Sequence, residues 1–203
     1  MLDSKLYRFL ETATNFLFLN IVWLLACLPV VTIPPATAAL FGVVREWVRQ
    51  EDAGVVGPFV RRFKENFVQS LIVGWLWALL GAVLLFNLLA IRQMPGPLGL
   101  PSLVLVAVAS LFYLTTSVYL YPVLVSYETT WFGVIRNAFF ISASQPAITI
   151  SGLVLTGAMV VLFYFAPITI VLSGSITAYL LYALCNRAFQ HVTPQDNGGE
   201  HSD

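Results

Sequence analysis

The chain has 203 residues, 59% of them hydrophobic and only 10% charged, and ten basic residues balance ten acidic ones. That composition excludes an ordinary soluble domain, and the zero net charge leaves no electrostatic footprint for nucleic acid. Cys27 and Cys185 lie in apolar runs near opposite ends of the chain, as small buried hydrophobes do, and His191 and His201 lie in the polar tail. No metal site, cofactor motif or catalytic set is expected from this inventory.

A hydrocarbon core about 30 Å thick needs roughly 20 apolar helical residues to cross. Thr12 to Val44, Asn66 to Ile91, Gln93 to Tyr127 and Asn137 to Asn186 contain no Asp, Glu, Lys or Arg, and the last is long enough for two crossings. The pattern predicts an all-α polytopic bundle of five to six membrane-embedded helices plus two cytoplasmic amphipathic helices. A single domain over residues 1–190 then holds segments at about 14–31, 35–48, 70–91, 102–125, 146–165 and 168–185, and a polar tail, 191–203, is expected to be disordered.

The first segment follows Lys5 and Arg8. Ala36-Thr37-Ala38 has the small-x-small look of a signal-peptidase site, but the apolar run Phe16 to Val31 is long for a signal core of about 7–15 residues, so cleavage is not expected. Pro34 and Pro35 should break the helix and start a new, short segment that ends at Arg45 and Arg49. Whether that segment crosses decides the topology. A hairpin puts Lys5, Arg8, Arg45, Arg49, Arg61, Arg62, Lys64, Arg136 and Arg187 on one side and Arg92 alone on the other; without the crossing Lys5 and Arg8 join Arg92. The hairpin obeys the positive-inside rule better and gives six membrane-embedded segments with both termini cytoplasmic, five spans with an outside N-terminus being the alternative.

Pro58 opens PFVRRFKENF, in which Phe59, Phe63 and Phe67 recur every four residues while Arg61, Arg62 and Lys64 take other faces. That pattern fits a helix in the cytoplasmic interface, with its basic residues on anionic headgroups or a docking partner. Gly74, Ala78 and Ala82 make a small-residue stripe suited to close helix packing. Arg92 to Pro101 reads as an external turn. Tyr119, Tyr121, Tyr127 and Trp131 mark an aromatic belt, with Glu128 an interfacial carboxylate that could face water or pair with Arg136. Trp131, Ile135 and Phe139 predict a second interfacial helix, and a turn near Phe165 to Pro167 joins the last two segments as antiparallel neighbours. FGVVR at 41–45 echoes FGVIR at 132–136, which raises the idea of an old duplication.

The residues Pro34-Pro35-Ala36-Thr37-Ala38-Ala39-Leu40, Val44-Arg45-Glu46-Trp47, Phe59, Phe63-Lys64-Glu65-Asn66-Phe67 and Asn137-Ala138 resemble the YesL-like family of bacterial integral membrane proteins, a domain of unknown function, over roughly Met1 to Phe189. Where that family has Gly-Pro, this chain has Pro34-Pro35, which stiffens the bend. The resemblance implies a multi-pass protein of the bacterial plasma membrane, encoded beside carbohydrate ABC importers, and carries no catalytic residues with it.

Three function classes are weighed. An intramembrane enzyme needs a nucleophile with its base, paired carboxylates or metal ligands, and none is visible. A small secondary transporter for a sugar-related solute would use polar groups inside the membrane, for which Asn20, Thr37 and Glu128 are the candidates. An accessory or scaffold protein for carbohydrate uptake needs docking surfaces, for which Phe59, Arg61, Arg62, Phe63, Lys64, Phe67 and Arg136 are the candidates. The accessory reading is preferred. Its partners are the lipid bilayer, ABC importer subunits and, in a homo-oligomer, further copies of the chain.

Overall fold

Two prolines organise the centre of the bundle. The computed structural model describes residues 2–51, 54–91, 99–165 and 170–192, with side chains at 10–51, 54–91, 99–165 and 173–189. The external turn around Arg92, the turn after Phe165 and the tail from 193 onward lie outside the described residues, as do the side chains of Lys5 and Arg8.

Helix α1, Leu2–Cys27, ends where Pro29 enters a single 3-10 turn, Val30–Thr32. The Thr32 hydroxyl lies 2.6 Å from the carbonyl oxygens of both Ala26 and Pro29, so it serves acceptors that the end of α1 would leave bare. Helix α2, Ile33–Arg49, then starts with Pro34 and Pro35 in its first turn, where their missing N–H groups cost nothing. Trp23 of α1 reaches Thr37, and the Phe16 and Trp47 rings meet at 5.1 Å, so α1 and α2 form an antiparallel hairpin. At its far end Gln50 takes a left-handed conformation, φ 58°, with Gln50 N–H on the Trp47 carbonyl and Glu51 N–H on the Glu46 carbonyl. That is a Schellman ending built on a residue other than glycine.

α2 is the helix the others enclose: α1, α3, α4, α5 and α8 all pack on it, and Ala36, Ala38, Ala39, Val43 and Val44 are wholly buried. Its small side chains let the neighbours approach closely.

Helix α3, Val56–Glu65, runs back along α2 with Phe59 buried and the Phe59, Phe63 and Phe67 rings in sequential contact. At Asn66 the chain bends into α4, Phe67–Ile91. Helix α5 is Gly99–Ser126, followed by α6, Trp131–Ser144, α7, Pro146–Phe165, and α8, Ile170–Val192. α1 and α8 are antiparallel, with Phe16 on Tyr179 and Asn20 on Ser175. The N-terminus of α1 and the C-terminus of α8 therefore point to the same end of the bundle.

The chain is all-helical, with eight α-helices among the described residues. Four of them contain stretches long and apolar enough to cross a membrane, Leu10–Cys27, Phe67–Ile91, Gly99–Ser126 and Pro146–Phe165, and the protein is a multi-pass membrane protein. α6 departs from the expected helix lying flat in the interface. Its Phe139 ring contacts Phe112, well inside α5, so α6 doubles back along α5 toward the middle of the bundle.

Two stretches share one design. In α2–α3–α4 and in α5–α6–α7, a helix is followed by a shorter one folded back along it, which then bends at a carboxamide residue into a long apolar helix. At the first bend Asn66 N–H bonds the Arg62 carbonyl and the Asn66 carbonyl accepts from Ser70 N–H and, at 2.6 Å, from the Ser70 hydroxyl. At the second, Gln145 N–H bonds the Ile141 carbonyl, and the Gln145 carbonyl accepts from Thr149 N–H and, at 2.9 Å, from the Thr149 hydroxyl. The FGVVR and FGVIR echo is not this repeat, because it falls on α2 and α6, which hold different places in the two units.

α5 carries an internal proline, Pro122, which denies the Val118 carbonyl its usual helical donor. The buried Cys185 thiol approaches that oxygen at 4.0 Å, a weak replacement.

Candidate functional site

The deepest charge among the described residues is Glu46. It sits one turn before the end of α2 with 1% of its surface exposed, on the stripe that begins with the buried Ala39 and Val43. A carboxylate so placed requires partners of opposite charge. Arg62 supplies Nε at 2.6 Å, and Arg61 supplies its guanidinium to both carboxylate oxygens at 2.9 and 3.0 Å. Arg62 also donates to Glu65 at 3.1 Å, and its stem fills the space over Gly42, where an added Cβ would meet the Arg62 Cγ at 2.8 Å. The two arginines expected on headgroups or a partner thus fasten α3 to α2, although half of the Arg61 side chain still faces outward. Lys64 is exposed and makes no ion pair among the described residues.

Beside this node lies a cleft of about 720 Å³ lined by Arg45, Arg62, Asn66, Gln69, Glu128 and Thr129, among others. It lies at the end of the bundle to which the α1 N-terminus and α8 C-terminus point, because Phe16 contacts Trp47 near the end of α2 and Tyr127 contacts Phe189. Gln69 donates to the Thr129 carbonyl at 2.6 Å, which closes the floor between α4 and the α5–α6 connection. Thr130 caps α6 by accepting from Gly133 N–H. Two further charged residues line the cleft. Arg45 Nε is buried without a hydrogen-bond partner, its guanidinium reaching only Glu51 at 3.6 Å, and Glu128 is exposed with no ion pair among the described residues, Arg136 included.

The family model described as a protein of unknown function, DUF624, matches residues 16–88, which cover most of α1 through α4. The uncharacterized protein YesL of Bacillus subtilis (strain 168) is 33% identical over 197 residues, covering 93% of this chain and 91% of YesL. The chain belongs to this family. It is also similar to two further uncharacterized proteins of that organism, YteU, 29% identical over 93% of this chain and 88% of YteU, and YesV, 26% identical over 95% of each. No solved structure matches the chain. The part that the family model matches contains Glu46, Arg61 and Arg62 but not Glu128, so the charged node falls within it and the far wall of the cleft does not.

The polar residues expected to line a pathway are dispersed. Asn20 is fully buried between α1 and α8, donating to the Ser175 hydroxyl at 2.9 Å and accepting from Ser175 N–H at 2.8 Å. The Thr37 hydroxyl donates to the Ile33 carbonyl at 2.8 Å and accepts weakly from Trp23. Glu128 stands apart from both, in the charged cleft. Of the small-residue stripe, Gly74 is buried against Pro34, whereas Ala78 and Ala82 are exposed. The close-packed seam on α4 instead runs through Gly74, Trp77 and Gly81. Trp77 stacks on Tyr113 at 4.8 Å and donates to Ser117, and Tyr113 also covers Gly81.

Glu46 and Arg45 belong to the motif that carries the family resemblance, yet residue type alone assigns them no task. Ala39, Val43 and Glu46 at i, i+4 and i+7 are the signal that Glu46 lies on the buried face. Gln69 and Thr129 carry no comparable mark, since only the fold brings α4 and the α5–α6 connection together. No group of three or more His, Cys, Asp or Glu able to hold a metal ion occurs among the described residues.

Proposed function

We propose that this chain is a non-enzymatic accessory component of a bacterial plasma-membrane assembly and that it holds a cytoplasmic segment of its partner in the charged cleft. The carrying observation is the cleft itself: about 720 Å³ of polar space lined by Arg45 and Glu128, one cationic and one anionic, with Glu128 exposed and in no ion pair among the described residues. A peptide segment with charges of both signs complements such a lining. The link to carbohydrate uptake, and to ABC importer subunits as partners, comes from the family resemblance.

The topology that goes with this reading has α1, α2, α4, α5, α7 and α8 embedded in the membrane and both termini cytoplasmic. The antiparallel α1–α2 pair supports it, because it places Lys5 and Arg8 toward the same end as Arg45 and Arg49.

The transporter reading has less support. A second cleft of about 430 Å³, between α1, α2, α5, α7 and α8, is lined by Thr37, Ser117, Thr156 and Thr177 among many apolar residues. All four hydroxyls donate to carbonyls of their own helices and are not free to donate to a sugar.

The test is affinity capture of the tagged chain from native membranes in mild detergent, beside the cleft variant Glu128→Arg. Recovery of an importer permease or ATPase with the wild-type chain, and its loss with Glu128→Arg at unchanged thermal stability, is the expected result. Recovery of the chain alone, together with solute flux in proteoliposomes, would replace this reading with the transporter.

A further inference from the structure

Among the described residues, Arg136 is a cation that the fold leaves without an ion pair. It is exposed and lies on α6, the helix that doubles back along α5. It borders a groove of about 420 Å³ between α4, α5 and α6, lined by Trp77, Leu84, Ala109, Phe112, Phe132 and Phe139 among others, in which Arg136 is the only charged residue among those described. The lining is therefore aromatic and aliphatic, with no carboxylate to neutralise the guanidinium.

A soluble protein would leave such a groove to water. Here two of its three walls, α4 and α5, are apolar enough to cross a membrane. An arginine on apolar surface at membrane depth keeps its stem in hydrocarbon and sends its head toward the nearest polar layer, and it is stabilised there by an anion. A basic residue between membrane helices over an apolar trough has the chemistry that holds an anionic headgroup above its acyl chain. Neutral lipid satisfies the trough and not the charge. A partner's apolar helix would leave the guanidinium equally unmatched.

We propose that the α4–α5–α6 groove is a binding site for one anionic phospholipid, with the phosphate on Arg136 and an acyl chain along Phe112, Phe132 and Phe139. The site lies on a different part of the protein from the charged cleft and does not depend on what that cleft binds.

The experiment is native mass spectrometry of the purified chain titrated in mild detergent with phosphatidylglycerol or phosphatidylcholine. The wild-type chain should retain one phosphatidylglycerol in preference to phosphatidylcholine. Arg136→Gln should weaken phosphatidylglycerol retention by about fivefold, the effect of one basic residue near an anionic surface, and leave phosphatidylcholine unchanged. Arg187→Gln removes another exposed arginine, one that does not border the groove, and should change neither. Ala109→Trp fills the groove and should reduce retention of both lipids. Equal retention of the two lipids by the wild-type chain, or undiminished phosphatidylglycerol binding in Arg136→Gln, would overturn the proposal. So would a dimer mass abolished by Ala109→Trp without any change in bound lipid, which would seat a second copy in the groove.

Discussion

The two bent units, α2–α3–α4 and α5–α6–α7, turn the chain in the same way and hold the turn by different chemistry. Both use a carboxamide residue at the bend and a buried hydroxyl four residues later to serve its carbonyl. In the first unit the short helix is then fastened by charge, Glu46 against Arg61 and Arg62. In the second it is fastened without charge, by Phe139 on Phe112 and by the Thr149 hydroxyl, which also lies 3.1 Å from the Tyr119 hydroxyl and 3.0 Å from the Ser142 carbonyl. The difference follows the surroundings. α3 lies where the basic residues gather and water or headgroups can solvate the outer face of Arg61, whereas α6 packs on the bundle through its uncharged face, where neutral hydrogen bonds and rings suffice, and keeps its one charge, Arg136, on the exposed side.

The largest test of that contrast is Glu46→Ala, which leaves Arg62 with Glu65 alone beside α2 and should destabilise the protein by about 3–5 kcal/mol, read as a fall in thermal unfolding temperature in detergent. Glu46→Gln keeps the shape and one acceptor without the charge and should cost less; an equal loss would mean that the charge alone holds this corner, and no loss that packing does. Gly74→Val comes next, at about 1–3 kcal/mol, since any Cβ there collides with Pro34 and pushes α4 off the start of α2. In the second unit Thr149→Val removes a hydroxyl near three oxygen atoms while keeping the shape, and should cost about 1–2 kcal/mol with no dependence on salt. Arg61→Ala is smaller, within about 1 kcal/mol, because half of that side chain is exposed, and its effect should shrink as salt is raised. The smallest change is a gain: Gln50→Gly relieves the left-handed residue at the end of α2 and should stabilise by about 0.5–1 kcal/mol.

Much of this architecture was legible in the sequence, for identifiable reasons. Runs without charge marked α4, α5 and α7, and Pro34-Pro35 marked the start of α2 to within two residues, because proline leaves few places to put a helix. The Phe59, Phe63 and Phe67 spacing located α3 and its inward face. The course of α6 was not legible, since a helix of mixed aromatic and small residues with one arginine fits an interface as well as a bundle wall. The packing seam was misread for a related reason: glycine and alanine every four residues suggest close contact, but Trp77 and Gly81 make it, by accepting the flat ring of Tyr113. Periodicity identifies a face and leaves its neighbour unnamed. The charged cleft was invisible for the same reason, being assembled from α2, α3, α4 and the α5–α6 connection, which only the fold brings together.

The thiol that stands in for an amide in α5 has a practical bearing. Anyone mapping the topology of this protein by cysteine labelling would first remove Cys27 and Cys185. At Cys185 the choice of replacement matters, because the Val118 carbonyl above Pro122 has that thiol as its donor. Cys185→Ala would empty a tightly packed spot and leave that oxygen bare in the buried core. Cys185→Ser keeps a donor in place and is the background on which reporter cysteines should be introduced.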